Sequence, residues 1–131
     1  MSESGGITLT SPSTGGAGAP VSATSGNVAN AAATATLPAA VGKTTVLDGF
    51  AVTGLGATAA ATLDVTITGP VNTIHYAFTV PAGVATEAFP LTVELPTPIP
   101  AAAANTAVVV NLPAFGAGNT NASVSAHGRQ V

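Results

Sequence analysis

The stretch AATLDVTITGPVNTIHYAFTV, residues 60–80, decides the fold class of this 131-residue chain. Two runs within it alternate apolar and polar side chains with a period of two, which places one face of each run in a core and the other in water. The apolar faces consist of Leu63, Val65 and Ile67 in the first run and of Ile74, Tyr76, Phe78 and Val80 in the second. Gly69, Pro70 and Asn72 supply the turn between them. The stretch therefore predicts an antiparallel β-hairpin at the centre of a β-sandwich.

Similar short runs flank the hairpin on both sides. We predict strands over residues 27–37, 43–53, 89–95, 106–112 and 120–127. In the second of these, Asp48-Gly49 interrupts a face shared by Val46 and Phe50, which indicates a bulge or bend. Residues 95–100, LPTPIP, are interpreted as a proline-rich crossover that cannot pair centrally in a sheet. With the hairpin, these runs predict seven strands, and the N-terminal segment can supply an eighth.

The N-terminal residues 1–26 differ from the rest of the chain in composition. Ser, Gly, Thr and Ala dominate the segment, and its hydrophobic anchors are Ile7, Leu9 and Val21. So few apolar side chains cannot offset the entropy lost on ordering. Two interpretations stay open: a disordered tail, or an extended arm that becomes ordered across a neighbouring subunit. The predicted organisation is an arm, residues 1–26, followed by an all-β antiparallel sandwich of the jelly-roll kind, residues 27–131.

The chain carries very little charge for its length. Only 5% of its residues are charged, against roughly 25% in an average soluble protein. Its two basic residues, Lys43 and Arg129, are too few to neutralise phosphates, so we expect no nucleic-acid binding and no electrostatic contact with a membrane. No apolar run reaches the roughly 18 residues of a membrane-spanning helix. The absence of cysteine excludes thiolate metal sites and cysteine nucleophiles.

Residues that could support catalysis are scarce and dispersed. The sequence has two histidines, His75 and His127, and five acidic residues, with no metal-ligand spacing among them. We predict that Asp64 and His75 face each other across the wet side of the hairpin, as a cross-strand pair and not as a site. Asp64 and Glu94 would form a carboxylate pair of the glycosidase type only if their strands were neighbours. We therefore expect no enzyme activity, no metal and no other cofactor.

Three stretches together resemble the small β-sandwich structural proteins of tailed bacteriophages. They are LPAAVGKTTVLDGFAVTG at residues 37–54, HYAFTVPAGVA at residues 75–85, and LPTPIPAAAANTAVVVNLPAFGAGNTNASVSAHGRQV at residues 95–131. The last stretch contains the pattern NT-x-A-x-V-x-A-x-G at residues 119–128, which resembles the final strand of those proteins. The resemblance leaves out the N-terminal arm, and it rests on pattern and composition because no active-site motif is involved.

The resemblance implies a virion component, with a decoration (cement) protein on the outer capsid surface as the leading interpretation. Its implied partners are the major capsid protein and other copies of the chain, as a homo-oligomer and most simply a trimer, with Ile7, Leu9 and Val21 as candidate contacts. Such a protein would be made in the host cytoplasm and reside in the virion. The alternative is a tail, neck or head-fibre component with a receptor- or glycan-binding sandwich. A secreted bacterial adhesion or matrix module would need an export signal, and the first residues do not resemble one.

Overall fold

The computed structural model of the protein describes residues 18–80, 82, 91–114 and 121–131. Its strands are β1 (Ala19–Thr24), β2 (Ala33–Leu37), β3 (Thr45–Leu55), β4 (Ala61–Thr68), β5 (Ile74–Val80), β6 (Leu91–Pro100), β7 (Val108–Leu112) and β8 (Asn121–Gln130). None of the described residues belongs to a helix, so this part of the chain has no helix that could cross a membrane. The all-β prediction is confirmed.

The eight strands form two four-stranded sheets. Sheet I has the strand order β1-β8-β3-β6, and sheet II has the order β2-β7-β4-β5. Every pair of neighbouring strands is antiparallel. The pairs are nested in the sequence, because β4 pairs with β5, β3 with β6, β2 with β7 and β1 with β8. The predicted antiparallel β-sandwich is therefore the fold of the chain.

The core lies between the two sheets and consists of the inward-facing side chains of both. Its largest fully buried members are Phe50, Leu37, Leu47, Ile67 and Leu112, with valines between them. Alternation along each strand places polar residues on the outside, as in β2, where three buried residues flank two exposed threonines. Each sheet therefore has one apolar inner face and one outer face on which Ser and Thr predominate.

The hairpin of residues 60–80 forms as predicted but occupies a different place. Strands β4 and β5 pair along their length, with Val65 opposite Tyr76 and Ile67 opposite Ile74. They make up one half of sheet II, with β5 as an edge strand. The prediction that this hairpin lies at the centre of the sandwich is correct for β4, a central strand of sheet II, and wrong for β5. The central strands of sheet II are β7 and β4, because β7 pairs with β2 on one side and with β4 on the other.

The bulge predicted at Asp48-Gly49 is confirmed. The register of β3 against both β6 and β8 shifts between Leu47 and Gly49. The extra residue reverses the side-chain alternation, so that Leu47 before the bulge and Phe50 after it both face the core. Val46 was predicted to share the face of Phe50, and this is wrong. Val46 is buried but lies outside the core cluster.

The proline-rich stretch after residue 95 is a strand and not a crossover. Strand β6 continues through Pro100, and the end of the strand pairs again with β3, where Val46 lies opposite Pro100 and Leu47 opposite Ile99. The prolines are tolerated because β6 is an edge strand of sheet I. Pairing with β3 also passes from Glu94 directly to Ile99. Residues 95–98, which include Pro96 and Pro98, therefore have no partner in β3. A backbone N–H donor is not needed at these positions.

Several strand boundaries differ from those expected. Strand β2 begins at Ala33, and the predicted first half of that run contributes only an isolated bridge between Val28 and Ala122. Asn30 has a positive φ of 58°, which interrupts extended backbone at this point. Strand β8 continues to Gln130, because its last residues pair with both β1 and β3. The inward positions predicted for β8, namely Ala122, Val124 and Ala126, are all buried.

Residues 19–24, which were predicted to belong to the N-terminal arm, form an edge strand of sheet I. All six residues of β1 pair with β8, from Ala19 opposite Gln130 to Thr24 opposite Ser125. Val21, a predicted contact with a neighbouring subunit, is half-buried and packs against the core of its own sandwich. For these six residues, the interpretation as a disordered tail, or as an arm ordered only across a neighbouring subunit, is wrong. Ile7 and Leu9 lie outside the described residues.

Two truncations should separate the contribution of β1 from that of the residues before it. A chain beginning at Gly18 keeps every described contact, so we expect its free energy of unfolding in dilute solution to equal that of the full chain. A chain beginning at Ser25 loses the apolar contacts of Val21 and Ala23 and exposes the edge of β8, which should cost about 2 kcal/mol. Urea denaturation followed by circular dichroism measures both. Equal stability of the two truncated chains would show that β1 contributes nothing to the fold.

Candidate functional site

The outer face of sheet I carries an open cleft, which we call the sheet I cleft. Its volume is about 440 Å³. All four strands of the sheet line it, through Ser22, Ala23, Thr24, Phe50, Ala51, Thr92, Glu94, Ser125, Ala126 and His127. Most outward side chains here are small and hydroxylated, so the cleft offers hydrogen-bonding groups and little charge.

Strand register explains why the cleft forms. One row across sheet I places Ser22 opposite His127, His127 opposite Gly49, and Gly49 opposite Glu94. The adjacent row consists of Thr24, Ser125, Ala51 and Thr92 in the same strand order. The central strand β3 contributes only glycine and alanine to the outer face in these rows. The surface is therefore depressed along β3 and raised along β8 and β6.

The side chains of His127 and Glu94 meet across the sheet I cleft, above the β3 bulge. His127 Nε2 lies 3.4 Å from Glu94 Oε2, although β8 and β6 are separated by β3. A Cβ atom at Gly49 would lie 2.7 Å from the Val93 carbonyl oxygen and 2.8 Å from His127 Cε1. The absence of a side chain at Gly49 thus allows the two side chains to meet. Sequence reasoning missed this pair because its members are 33 positions apart on strands that are not neighbours.

The predicted cross-strand pair of Asp64 and His75 is confirmed. His75 Nδ1 lies 2.7 Å from Asp64 Oδ2, and each side chain is 57% exposed. The residues are diagonal neighbours, since Asp64 lies opposite Ala77 and His75 opposite Thr66. They belong to the outer face of sheet II, on the other side of the sandwich from the sheet I cleft. Asp64 and Glu94 consequently lie in different sheets, so the carboxylate pair that depended on neighbouring strands does not form.

The Asp64–His75 pair should contribute little to stability despite its short distance. Both side chains are more than half exposed, and solvent screens such surface pairs to about 0.2–1 kcal/mol. We expect a double-mutant cycle with Asp64→Asn and His75→Gln to give a coupling energy below about 1 kcal/mol in urea denaturation. A coupling well above that value would mean that the pair is part of a larger buried network.

Three loops meet at one end of the sandwich, which we call the loop end. They are residues 38–44 between β2 and β3, residues 69–73 between β4 and β5, and residues 101–107 between β6 and β7. Backbone hydrogen bonds connect them: the Asn105 N–H donates to the Lys43 carbonyl at 2.9 Å, and the Ala102 N–H donates to the Gly69 carbonyl at 2.8 Å. The C-terminal Val131 joins the same end by exchanging two backbone hydrogen bonds with Thr44. The loop end is therefore a connected surface.

The loop end is unusually apolar for exposed loops. The exposed large hydrophobic side chains of the described chain all lie here, with Val41 85%, Val71 81% and Val131 43% exposed. Lys43 carries the only charge within the three loops. A second cleft of about 300 Å³ opens at this end, lined by Pro70, Val71, Asn72, Ile74, Ile99 and Pro100. Exposed apolar side chains concentrated in one place are typical of a surface that contacts another protein.

The described part of the chain offers two surfaces for binding, the sheet I cleft and the loop end. Among the described residues, no three His, Asp or Glu side chains come together in a way that could hold a metal ion. Of the three predicted contact residues, Val21 faces the core of its own domain, and the other two fall outside the described ranges. Comparison of the chain with protein-family models and with curated proteins finds no match.

Proposed function

We propose that this protein is a structural component of a tailed-phage virion that decorates and stabilises the outer surface of the capsid. The observation that carries the proposal is the loop end, where three exposed valines and an apolar cleft are combined with a single charge. Such a surface is suited to burial against other proteins. The sequence resemblance to small phage structural proteins supplies the virion context.

The strand order supports the same proposal. We infer that the sandwich is a jelly roll, because its strands are nested as β1 with β8, β2 with β7, β3 with β6 and β4 with β5. This is the order obtained when one long antiparallel ribbon of four strand pairs folds over into two sheets. Jelly rolls of eight strands are the architecture of many viral capsid domains, although they also occur in lectins and other proteins. Fold alone does not define function, so the proposal depends on the surface as well.

The low charge of the chain is consistent with packing in a dense shell. Only 5% of the residues are charged, and burial of an unpaired charge at an interface is costly. A surface of Ala, Ser, Thr and Val avoids that cost when copies pack against each other and against the major capsid protein. We propose a homo-oligomer on the capsid, with a trimer as the simplest assembly at a threefold position. The protein has no catalytic role in this proposal.

Binding to capsids tests the proposed function. Purified protein would be mixed with capsids that lack it and sedimented, and we expect saturable association with the particles. Capsids that already carry a full complement serve as the control and should bind no additional protein. Recovery of the protein in the supernatant with both kinds of capsid would contradict the proposal.

A second candidate function is receptor or glycan binding by a tail, neck or head-fibre component. The sheet I cleft is the observation that favours it, because serine and threonine hydroxyls and the His127–Glu94 pair line an open groove. The groove lacks the exposed aromatic side chain on which sugars commonly stack; the one aromatic at the cleft, Phe50, is buried. Glycan-array binding that disappears with His127→Ala would favour this function, and an array without binding would count against it.

A further inference from the structure

The loop end has an apolar recess, the second cleft described above, which we call the loop-end cleft. Pro70, Val71, Ile74, Ile99 and Pro100 provide apolar walls, and Asn72 is the one polar residue among those that line the loop-end cleft. The walls come from the β4–β5 loop, the start of β5 and the end of β6, which belong to different sheets. Hydrogen bonds from Ala102 to Gly69 and from Ala101 to Thr45 fix the neighbouring backbone. A partner would therefore bind a preformed surface at little cost in conformational entropy.

The N-terminal segment leaves the sandwich at this same end. Gly18 lies against the C-terminus, since a Cβ atom built on it would be 2.6 Å from the Gln130 carbonyl oxygen and 2.8 Å from Val131 Cγ1. Seventeen residues precede Gly18, and within them the sequence Ile7-Thr8-Leu9-Thr10 carries two large apolar side chains. The segment carries one charged side chain, Glu3. Its chemistry matches the apolar walls of the cleft.

The length of the segment allows Leu9 to reach well beyond its own strand. Leu9 lies nine positions before Gly18, so an extended backbone between them spans about 30 Å. Strand β1, from which the segment departs, lies three strand spacings from β6, or roughly 14 Å. The segment is therefore about twice as long as sheet I is wide, so Leu9 is not confined to the neighbourhood of its own strand.

The extent of the apolar surface favours a second copy over the same molecule. Val131 follows β8, Val41 lies in the β2–β3 loop and Val71 in the β4–β5 loop, so they are distributed across the whole loop end. Four residues of one segment folded back on their own domain would cover the cleft and leave other valines exposed. A second copy would cover them with its own loop end while its N-terminal segment filled the cleft.

We propose that copies of this chain associate through their loop ends, with Ile7 and Leu9 of one copy in the loop-end cleft of the next. The inference deepens the proposed function, because it names the surface through which the decorating protein self-assembles. It also gives the predicted contact residues Ile7 and Leu9 a receiving site, lined by Val71 and Ile99. Exchange of a terminal segment between copies is a common route to homo-oligomers.

Disulfide trapping in the purified protein tests the exchange directly. The chain has no cysteine, so single substitutions introduce unique thiols. Leu9→Cys and Asn72→Cys variants would be prepared separately, mixed and oxidised; Asn72 is chosen because it lines the cleft and is exposed. The control mixture pairs Leu9→Cys with Thr53→Cys, an exposed position near the other end of β3. We expect a disulfide-linked dimer in the first mixture at several times the yield of the control.

Three results would overturn the proposal. Equal dimer yields in the two mixtures would mean that the segment does not select the cleft. A disulfide confined to single chains of the Leu9→Cys/Asn72→Cys double variant would place the segment in its own cleft.

In sedimentation equilibrium, Val71→Asp should weaken self-association about tenfold or more, because it places a carboxylate in an apolar contact. Thr53→Asp should leave self-association unchanged, and equal behaviour of these two variants would also overturn the proposal.

The same variants distinguish this inference from the proposed function. Capsid sedimentation measures the shell-binding function, whereas disulfide trapping measures contact between copies in the absence of a shell. Capsid binding without trapping would overturn the segment exchange and leave the decorating role in place. Trapping without capsid binding would support the exchange and contradict the decorating role.

Discussion

Replacing Gly128 by alanine should destabilise the sandwich more than any other single-methyl addition considered for this chain. Gly128 lies in β8, opposite Leu47 of β3 and Val21 of β1. A Cβ atom here would overlap the carbonyl oxygen of Val46 and lie 3.2 Å from Leu37 Cδ1. Because the overlap is with backbone, it can be relieved only by moving β3 away from β8. We expect a loss of about 3 kcal/mol or more in the free energy of unfolding.

Gly42→Ala provides the matched control for this substitution. Gly42 lies in the β2–β3 loop with a φ of +73°, and a Cβ atom there meets nothing within 4 Å. Its replacement should cost only the strain of a left-handed conformation, about 1 kcal/mol. Urea midpoints measured by circular dichroism give both values, and the soluble fraction on expression reports a variant that does not fold. Identical midpoints for the two variants would contradict the close approach of β3 and β8.

The second large effect is expected for Phe50→Ala at the centre of the core. Phe50 is 2% exposed and follows the β3 bulge. Its ring contacts Tyr76 of β5 edge-on, with a centroid separation of 5.3 Å and an interplanar angle of 65°. The contact joins sheet I to sheet II, so its loss both opens a cavity and removes an aromatic pair. We expect a destabilisation of about 3–5 kcal/mol.

A Phe50→Leu variant separates cavity formation from the loss of ring geometry. Leucine keeps most of the buried apolar volume, so its cost should stay near 1.5 kcal/mol. In thermal unfolding, Phe50→Ala should have the lower midpoint of the two by a wide margin. A Phe50→Ala protein as stable as Phe50→Leu would mean that the core repacks around the site and that the contact with Tyr76 carries no stability.

The parts of the fold that the sequence predicts are those specified by local alternation. The hairpin of β4 and β5 is predicted almost residue by residue, since Val65, Ile67, Phe78 and Val80 are bulky and alternate with Thr and Asp. The bulge at Asp48-Gly49 can also be predicted from the sequence, because a charged residue and a glycine interrupt a run of large apolar side chains. The orientation of Val46 could not be predicted, since the reversal of alternation at the bulge depends on the register with both neighbouring strands.

Strands β1 and β6 were misjudged for two different physical reasons. In β1 the inward residues are Val21 and Ala23, which contribute too little apolar contrast against Ser22 and Thr24 to give a clear pattern. In β6 the prolines indicate a break in the strand. Their missing N–H donors are not needed, because β6 is an edge strand and its residues 95–98 have no partner in β3. Both strands gain their place from pairing with β8 or β3, which are distant in the sequence.

Among the candidate sites, too, contacts set by local sequence could be predicted, and contacts that depend on the tertiary fold could not. Asp64 and His75 were predicted as a pair because a hairpin fixes which of its residues meet. His127 and Glu94 were not, since their contact requires the order β8-β3-β6 and a glycine in the middle strand. The glycine at the bulge was a signal, because a residue without a side chain between two charged positions allows them to meet. The loop end could not be predicted from the sequence, because its exposed valines lie in two separate loops and at residue 131, which only the tertiary fold brings together.

The copy number of the protein in purified virions tests the central claim most directly. Quantitative mass spectrometry of intact particles would measure it relative to the major capsid protein. We expect a number of copies comparable with that of the major capsid protein, located on the head. Absence from the particles, or a few copies confined to the tail or neck, would contradict the decorating role.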